Sequence, residues 1–499
     1  MARFVVSHRL AGRDSSAIQA AADAHESIRA KIRGFANVVS DRPPAPRARG
    51  LMVVDADPGE MLAQQRTAPA DLLIEPEMFR RPARFALTSL PVARAGSAGT
   101  GAAYTMTVRS PAGPAPGAKV EVLFSNPQTG ASAAVEAFSD AQGRAAVPYD
   151  SRQWLPGGVI VTPRSGQWSW FSSSTASGSV LTLAALPQGN RLGWWHQLLG
   201  VPSYLEARGQ GIRVGVADTG AGPHPCLAQV QSAGAFLDGA HDAAPLASAD
   251  VSDHGTHVAG LIGARPAAGS TGYAGIAPAV DLVVARVYRD SASAASNADI
   301  AGAIDALSGE HACDLINLSL GGTESSVIEL DAVTAAIENG TLVLGAAGNG
   351  VGPIDYPAAY NGVVAVSALG LYGTFPLNAI EALAVPSAAD HFAGSLFSAS
   401  FNNTGPHLAC VGPGVAIIST VPGTSPADAA YASMSGTSMA CPAVTGALAT
   451  LLSADSAYRK LPRDVKRAQY AWNVLLRSLR RAGFNSTYEG YGLATASAT

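Results

Sequence analysis

Cysteine, net charge and uninterrupted apolar runs are all scarce in this chain, and each scarcity removes a class of function. Four cysteines occur in 499 residues, Cys226, Cys313, Cys410 and Cys441. They form no C-x-x-C pair, which argues against a disulfide framework or a zinc site and leaves buried free thiols as the expected state. The formal net charge is -4, so no global field recruits nucleic acid or an anionic membrane, and neither is an expected partner. No stretch approaches the roughly 18 apolar residues of a membrane span. A secretory leader is also missing, because charges at Arg3, Arg9 and Arg13 break the N-terminal apolar run. The expectation is a cytoplasmic protein or export by a non-Sec route, unless a leader was removed ahead of Met1.

What remains is 47% hydrophobic, with 53 glycines and 32 prolines, a mixture that suits a folded, loop-rich chain of two to four domains. Residues 1–81 read as strand-helix-strand-strand-helix-strand, a ferredoxin-like α+β unit. Its strands are Arg3–His8, Phe35–Val39, Leu51–Val54 and Asp71–Ile74. Ser15 or Ser16 caps a helix bearing Ile18, Ala21, Ala22, His25 and Ile28 on one face, and Gly59–Arg66 forms the second helix. Residues 86–186 lack a helical period. Short strands at Tyr104–Val108, Val120–Phe124, Ala145–Pro148 and Val159–Thr162 predict an immunoglobulin-like all-β sandwich.

Residues 193–499 alternate strand-like and helix-like runs, from Ile212–Ala217 to Ser438–Leu452, and predict an α/β unit with a mainly parallel sheet. Chemistry in such a sheet sits beyond the carboxyl ends of strands. The basic cluster from Arg459 to Arg481 reads as the solvated face of a terminal helix.

Three short segments carry chemistry. Val214-Gly215-Val216-Ala217-Asp218-Thr219-Gly220 is an apolar strand ending in an acidic turn. A paired-carboxylate protease would need a second such turn, and there is none. His254-Gly255-Thr256-His257-Val258-Ala259-Gly260 puts an imidazole at the start of an apolar helix. Without an H-E-x-x-H pattern a general base held by a carboxylate is the stronger use than a metal ligand. Gly436-Thr437-Ser438-Met439-Ala440 sets a hydroxyl at a helix N-terminus, where free N–H groups and positive potential gather.

In this order the three segments resemble the subtilisin-like serine protease (subtilase) family, and the likeness covers about three-fifths of the chain. It implies a serine endopeptidase in which Ser438 attacks the peptide carbonyl, His254 shuttles the proton and Asp218 orients the imidazole. It further implies that Asn349 and the Ser438 N–H stabilise the oxyanion. Ser319, Leu320 and Gly321 resemble the edge that binds the substrate backbone, while Ala347, Gly348 and Asp355 resemble the wall of the primary-specificity pocket. A carboxylate at Asp355 would favour Arg or Lys before the scissile bond.

The ferredoxin-like unit resembles the family's propeptide, an inhibitor expected to be cut after Arg80 in Glu77-Met78-Phe79-Arg80-Arg81. Protein or peptide substrates and the chain's own N-terminal unit are thus the expected partners, and bacterial relatives the expected company. No cofactor is required. Structural calcium is unsupported, since Ala264–Gly275 carries no carboxylate. Leu369–Leu396 is longer than the usual connection and reads as an insertion near the substrate groove or a tolerated loop. Cys441 replaces a frequent serine and is expected to pack in the helix. The competing function is a catalytically silent binding or adhesion protein on the same fold.

Overall fold

The computed structural model describes residues 1–10, 17–45, 47–84, 92–94, 102–188, 191–425 and 427–497. Its first unit runs β1 (Ala2–His8), α1 (Ala17–Ile32), β2 (Asn37–Arg42), β3 (Leu51–Ala56), α2 (Pro58–Thr67) and β4 (Leu72–Pro76). The sheet order is β2-β3-β1-β4, with antiparallel neighbours throughout. The expected capping serines of α1, and the side chains of Ile18, Ala21 and Ala22, lie outside the described residues. Helix α2 begins where Asp57 accepts from the Gly59 and Glu60 amides and Pro58, with no N–H, needs no acceptor.

Alternation along these strands divides the sheet into two apolar faces. Phe4, Val6, Met52, Val54 and Ile74 pack with Ile32 and Met61 beneath the unit's own helices. Val5, Leu51, Val53 and Leu73 point the other way, into a core shared with Phe236, Ile300, Ile304 and Ile328 of the C-terminal unit. A short strand, β5 (Phe79–Pro82), follows and leaves this sheet altogether.

The second unit pairs a five-stranded sheet with a smaller one over Tyr104, Val120, Val122, Val147, Val159 and Val161. Strands at Ser132–Phe138, Trp170–Ser172 and Ser179–Thr182 join those expected from sequence. This unit is docked rather than tethered. Phe171 N–H donates to the Asn378 carbonyl (3.2 Å) and Ile380 N–H to that of Ser169 (3.1 Å). The long Leu369–Leu396 segment, read as a groove insertion or a tolerated loop, therefore supplies part of the seat of the second unit, with Tyr431 accepting from Gly166 N–H (2.8 Å) beside it.

In the C-terminal unit, strands at 231–237, 281–286, 213–218, 315–318, 342–346, 363–371 and 408–413 pair in parallel, in that order. Antiparallel additions lie at both ends, so the sheet is mixed. The helix Thr437–Ala454 is long and apolar enough by composition to cross a membrane, contrary to the count of apolar runs, but most of it is buried in the core. All four cysteines are buried and unbridged. The basic C-terminal cluster is exposed at Arg459, Lys460, Arg463, Lys466, Arg477, Arg480 and Arg481, as expected of a solvated face, with one exception. Arg467 is nearly buried, bonded to Asp314 at 2.8 Å and stacked over Tyr458.

Charge crosses the interface between the first and third units. The fully buried Arg49 guanidinium bonds Asp305 (2.7 and 3.0 Å) and Asp331 (3.0 Å), which sit in or beside two helices of the C-terminal unit. Glu75 accepts from Val327 and Ile328 N–H and from Asn297 Nδ2, placing negative charge at the N-terminus of the helix Val327–Glu338. Removing one partner of a buried ionic cluster strands the others. We expect Arg49→Ala to cost about 3–5 kcal/mol in chemical denaturation; a loss under about 1 kcal/mol, the value of a solvated pair, would contradict the buried arrangement.

Candidate active site

Parallel strands deliver the chemistry to one edge of the sheet. Asp218 ends the strand Arg213–Asp218, and its Oδ1 accepts from Thr219 N–H (2.7 Å). The same oxygen lies 2.7 Å from Nδ1 of His254, the first residue of the helix His254–Gly263. Both side chains are buried. Behind them, Asp250 accepts from Thr219 Oγ1 (2.8 Å), Ser252 N–H and Thr256 N–H (2.9 Å each) and Thr256 Oγ1. Thr219 Oγ1 in turn accepts from Gly255 N–H (2.8 Å). This network locks the acidic turn to the helix that carries His254, and it was missed at the sequence level although Asp250 stands four residues before the histidine.

His257, the other histidine of that motif, is fully buried and pushed down to about 3 by burial. Its Nε2 faces the Ile417 carbonyl at 3.0 Å. A neutral ring bonded to backbone is structural. Among the described residues no group of three or more His, Cys, Asp or Glu could hold a metal. The Ala264–Gly275 segment closes on itself through Gly275 N–H to the Ala264 carbonyl (2.9 Å). With no carboxylate it does not fit a calcium ion.

Ser438 is the second residue of the helix Thr437–Ala454. Its Oγ donates to the Ser319 carbonyl (2.8 Å), and the structure does not join it to His254, whose Nε2 has no hydrogen-bond partner among the described residues. Pro442 lies inside the helix and cannot donate to the carbonyl four residues earlier. That carbonyl belongs to Ser438, and Ser319 Oγ fills the vacancy at 2.9 Å. Ser319 is thus tied to Ser438 twice.

Asn349 is oriented by its own oxygen, which accepts from Thr437 N–H (2.9 Å) and Oγ1 (3.0 Å). Its Nδ2 then donates to the carbonyl of Ala83, and Ser438 N–H donates to the same oxygen at 3.1 Å. Two donors therefore converge on one peptide carbonyl of the chain itself. Ala83 N–H bonds the Ser319 carbonyl (3.1 Å). Upstream, β5 pairs antiparallel with Leu320 and Gly321 on one side and Ala295 and Ser296 on the other. Arg84 reaches Asp253 at 3.1 Å.

The carbonyl between the two donors is that of Ala83 and not that of Arg80, after which a cut was expected. Arg80 is drawn elsewhere, its side chain buried on Glu329 at 2.9 Å. Sequence reasoning missed Glu329 as well. The signal was available, for Glu329 and Asp331 interrupt the apolar run Val327–Val333 of a helix whose other buried residues are hydrophobic.

Ser319, Leu320 and Gly321 meet the segment. Ala347 and Gly348 bond to neighbouring elements instead. Ala347 accepts from Asp355 N–H (2.9 Å), while Gly348 donates to Thr437 Oγ1 (3.1 Å). The Asp355 carboxylate lies where a Cβ on Gly348 would come within 2.4 Å of Oδ2, and one on Gly321 within 3.1 Å. Gly348 also holds φ at 105°, so glycine is required there twice over. Burial pushes Asp355 up to about 6 against the opposing charge of Arg80 and a hydrogen bond from Asn403.

A hydroxyl at a helix N-terminus, a carboxylate-bound imidazole and two donors on one carbonyl are the parts that acyl transfer requires. The family model described as "Subtilase family" matches residues 209–486. The chain is similar to subtilisin DY of Bacillus licheniformis, at 34% identity over 251 residues, covering 49% of this chain and 78% of that protein. It is also similar to an intracellular serine protease of Paenibacillus polymyxa, at 33% identity over 296 residues, 58% of this chain and 80% of the relative. Subtilisin Savinase of Lederbergia lenta matches at 36% identity over 242 residues, 48% and 76% respectively.

Asp250 offers a test of the network. Asp250→Ala leaves buried donors on Thr219 and Thr256 unpaired, at about 1–3 kcal/mol for each. We expect a clear fall in the midpoint of chemical denaturation, restored only in part by Asp250→Asn, whose amide nitrogen would meet a backbone N–H that a carboxylate oxygen now accepts; an unchanged midpoint would mean that water replaces the carboxylate.

Proposed function

Given that this chain belongs to the subtilase family and is a serine endopeptidase, we propose that it works through Asp218, His254 and Ser438 and folds as a self-inhibited zymogen. The observation that carries this reading is the Ala83 carbonyl held by Ser438 N–H and Asn349 Nδ2. It occupies the position of a scissile carbonyl, with Arg84 on the leaving side.

Each step follows from an atom already described. Rotation about the Ser438 Cα–Cβ bond exchanges the Ser319 carbonyl for His254 Nε2, which takes the proton as Oγ attacks. Asp218 holds Nδ1–H and stabilises the imidazolium. Negative charge growing on the carbonyl oxygen is met by the Asn349 amide and the Ser438 N–H, donors fixed before reaction and without reorganisation cost. The imidazolium then gives its proton to the Arg84 nitrogen, and water repeats the sequence on the acyl-enzyme. No cofactor enters, as for subtilases generally.

The first unit acts on this reading as a ferredoxin-like propeptide. The sheet order β2-β3-β1-β4 supports that assignment, as does its shared core with the catalytic helices. It delivers β5 into the cleft as an added strand, a mode in which backbone pairing supplies affinity. The β-sandwich, read as immunoglobulin-like, follows the scissile bond and docks on the catalytic unit, so cleavage leaves it attached there. Self-cleavage is expected to yield a new N-terminus at Arg84, read by N-terminal sequencing, while Ser438→Ala keeps the chain whole. A terminus at Arg81 would contradict this register.

Asp355 supports a preference for Arg or Lys at P1, the residue whose carbonyl is attacked. The chain's own Ala83 holds that position without a charge, which an intramolecular cleavage tolerates because its effective concentration is high. Because burial pushes Asp355 up to about 6, the preference should follow its ionisation. The kcat/KM ratio of P1-Arg to P1-Phe peptides is expected to rise between about pH 5 and pH 8. A flat ratio, or an aromatic preference across the range, would sink the role.

A further inference from the structure

We propose that the cleft has a second cation-selective subsite, three residues upstream of the attacked carbonyl, in which Glu329 selects arginine. This deepens the protease reading and rests on it for the register of the cleft. Counting back from Ala83 at P1, Pro82, Arg81 and Arg80 occupy P2, P3 and P4. Arg81 faces Gly321 across the strand pairing, and Arg80 is only 1% exposed.

The surroundings of Arg80 are those of a built receptor. Its Nη2 donates to Glu329 Oε2 (2.9 Å) and to the Glu324 carbonyl (2.8 Å). The Tyr360 hydroxyl lies 3.1 Å from the same carboxylate oxygen and accepts from Ser326 N–H at 2.7 Å, which fixes the acid from the far side. Gly322 supplies the space, since a Cβ there would stand 3.2 Å from both Cδ and Nη1 of Arg80. Tyr356 packs against Tyr360 with the rings tilted at 44° and their centroids 4.8 Å apart, which stiffens this wall.

Burial raises the pKa of Glu329, and the charge of Arg80 opposes the rise. A carboxylate at this depth without a cation is costly, so the subsite rewards a matching charge. Arginine is favoured over lysine, because one guanidinium nitrogen must serve two acceptors in a fixed plane while the long stem stays extended. Lysine offers a shorter, strongly hydrated point charge. The backbone of a substrate would be held by Ser319–Gly321 whatever its side chains. Selectivity would then come from two acids at separate depths, Asp355 beneath P1 and Glu329 beneath P4.

The test uses the self-cleaved wild-type enzyme and peptides spanning the Phe79–Arg84 sequence, with the residue at position 80 varied. Arginine, lysine, leucine and citrulline are compared; citrulline keeps the shape of arginine without the charge. The expected kcat/KM for arginine exceeds that for citrulline by about 10- to 100-fold, the range of a charge-assisted hydrogen bond. In Glu329→Gln that ratio falls to about one, whatever the absolute activity. If Glu329→Gln fails to fold, Glu329→Asp provides the second measurement, and its retracted carboxylate should lower the arginine-to-citrulline ratio of the same peptides. Equal rates for arginine and citrulline in the wild-type enzyme would overturn the subsite while leaving the protease reading intact. Absence of cleavage in every peptide would instead overturn the protease reading on which the subsite rests.

Discussion

One carbonyl oxygen organises this molecule. The C=O of Ala83 is gripped by a helix N-terminal amide at Ser438 and a side-chain amide at Asn349, and the units on either side of it are arranged to keep it there. A lone contact of this kind contributes little net free energy. Its persistence comes from the elements that fix its ends: the β5 pairing upstream, the Arg84–Asp253 pair downstream, and the two-faced sheet that seals the first unit to the catalytic helices. On the proposed reading, inhibition and substrate recognition are the same geometry, differing only in whether the bond after Ala83 has been cut and the strand released.

That arrangement places opposing demands on the interface. Apolar packing by Val5, Leu51, Val53 and Leu73 favours a permanent union, as a core does. Arg49 with Asp305 and Asp331, and Arg80 with Glu329, add buried charges whose desolvation offsets much of their attraction. Charged clusters at a seam are specific in register and lose their advantage once water enters. On the proposed reading, a first unit held this way docks in one orientation and can still be made to leave.

Much of the catalytic unit was legible because its chemistry is local. The strand ending at Asp218, the helix opening at His254 and the glycine turn before Ser438 each declare themselves within a few residues, and the α/β alternation positions them at one sheet edge. What was not legible depends on distant pairing. Dibasic Arg80-Arg81 suggested a cut after Arg80, but strand register against Leu320 and Gly321 decides which carbonyl meets Asn349, and register is a tertiary property. The docking of the sandwich on Leu369–Leu396 was hidden for the same reason. Arg467 looked solvated because its partner, Asp314, lies 153 residues away. Glu329 was the recoverable omission, since an acid in an apolar helix run asks for a buried partner.

Self-inhibition of this kind requires Ala83 to occupy the active cleft before cleavage. The direct measurement is the rate at which a fluorophosphonate modifies Ser438 in freshly folded chain, followed alongside the appearance of the Arg84 N-terminus. Occupancy predicts that uncut chain resists modification and that labelling lags behind cleavage and release of the first unit. Equal labelling of cut and uncut chain would contradict it.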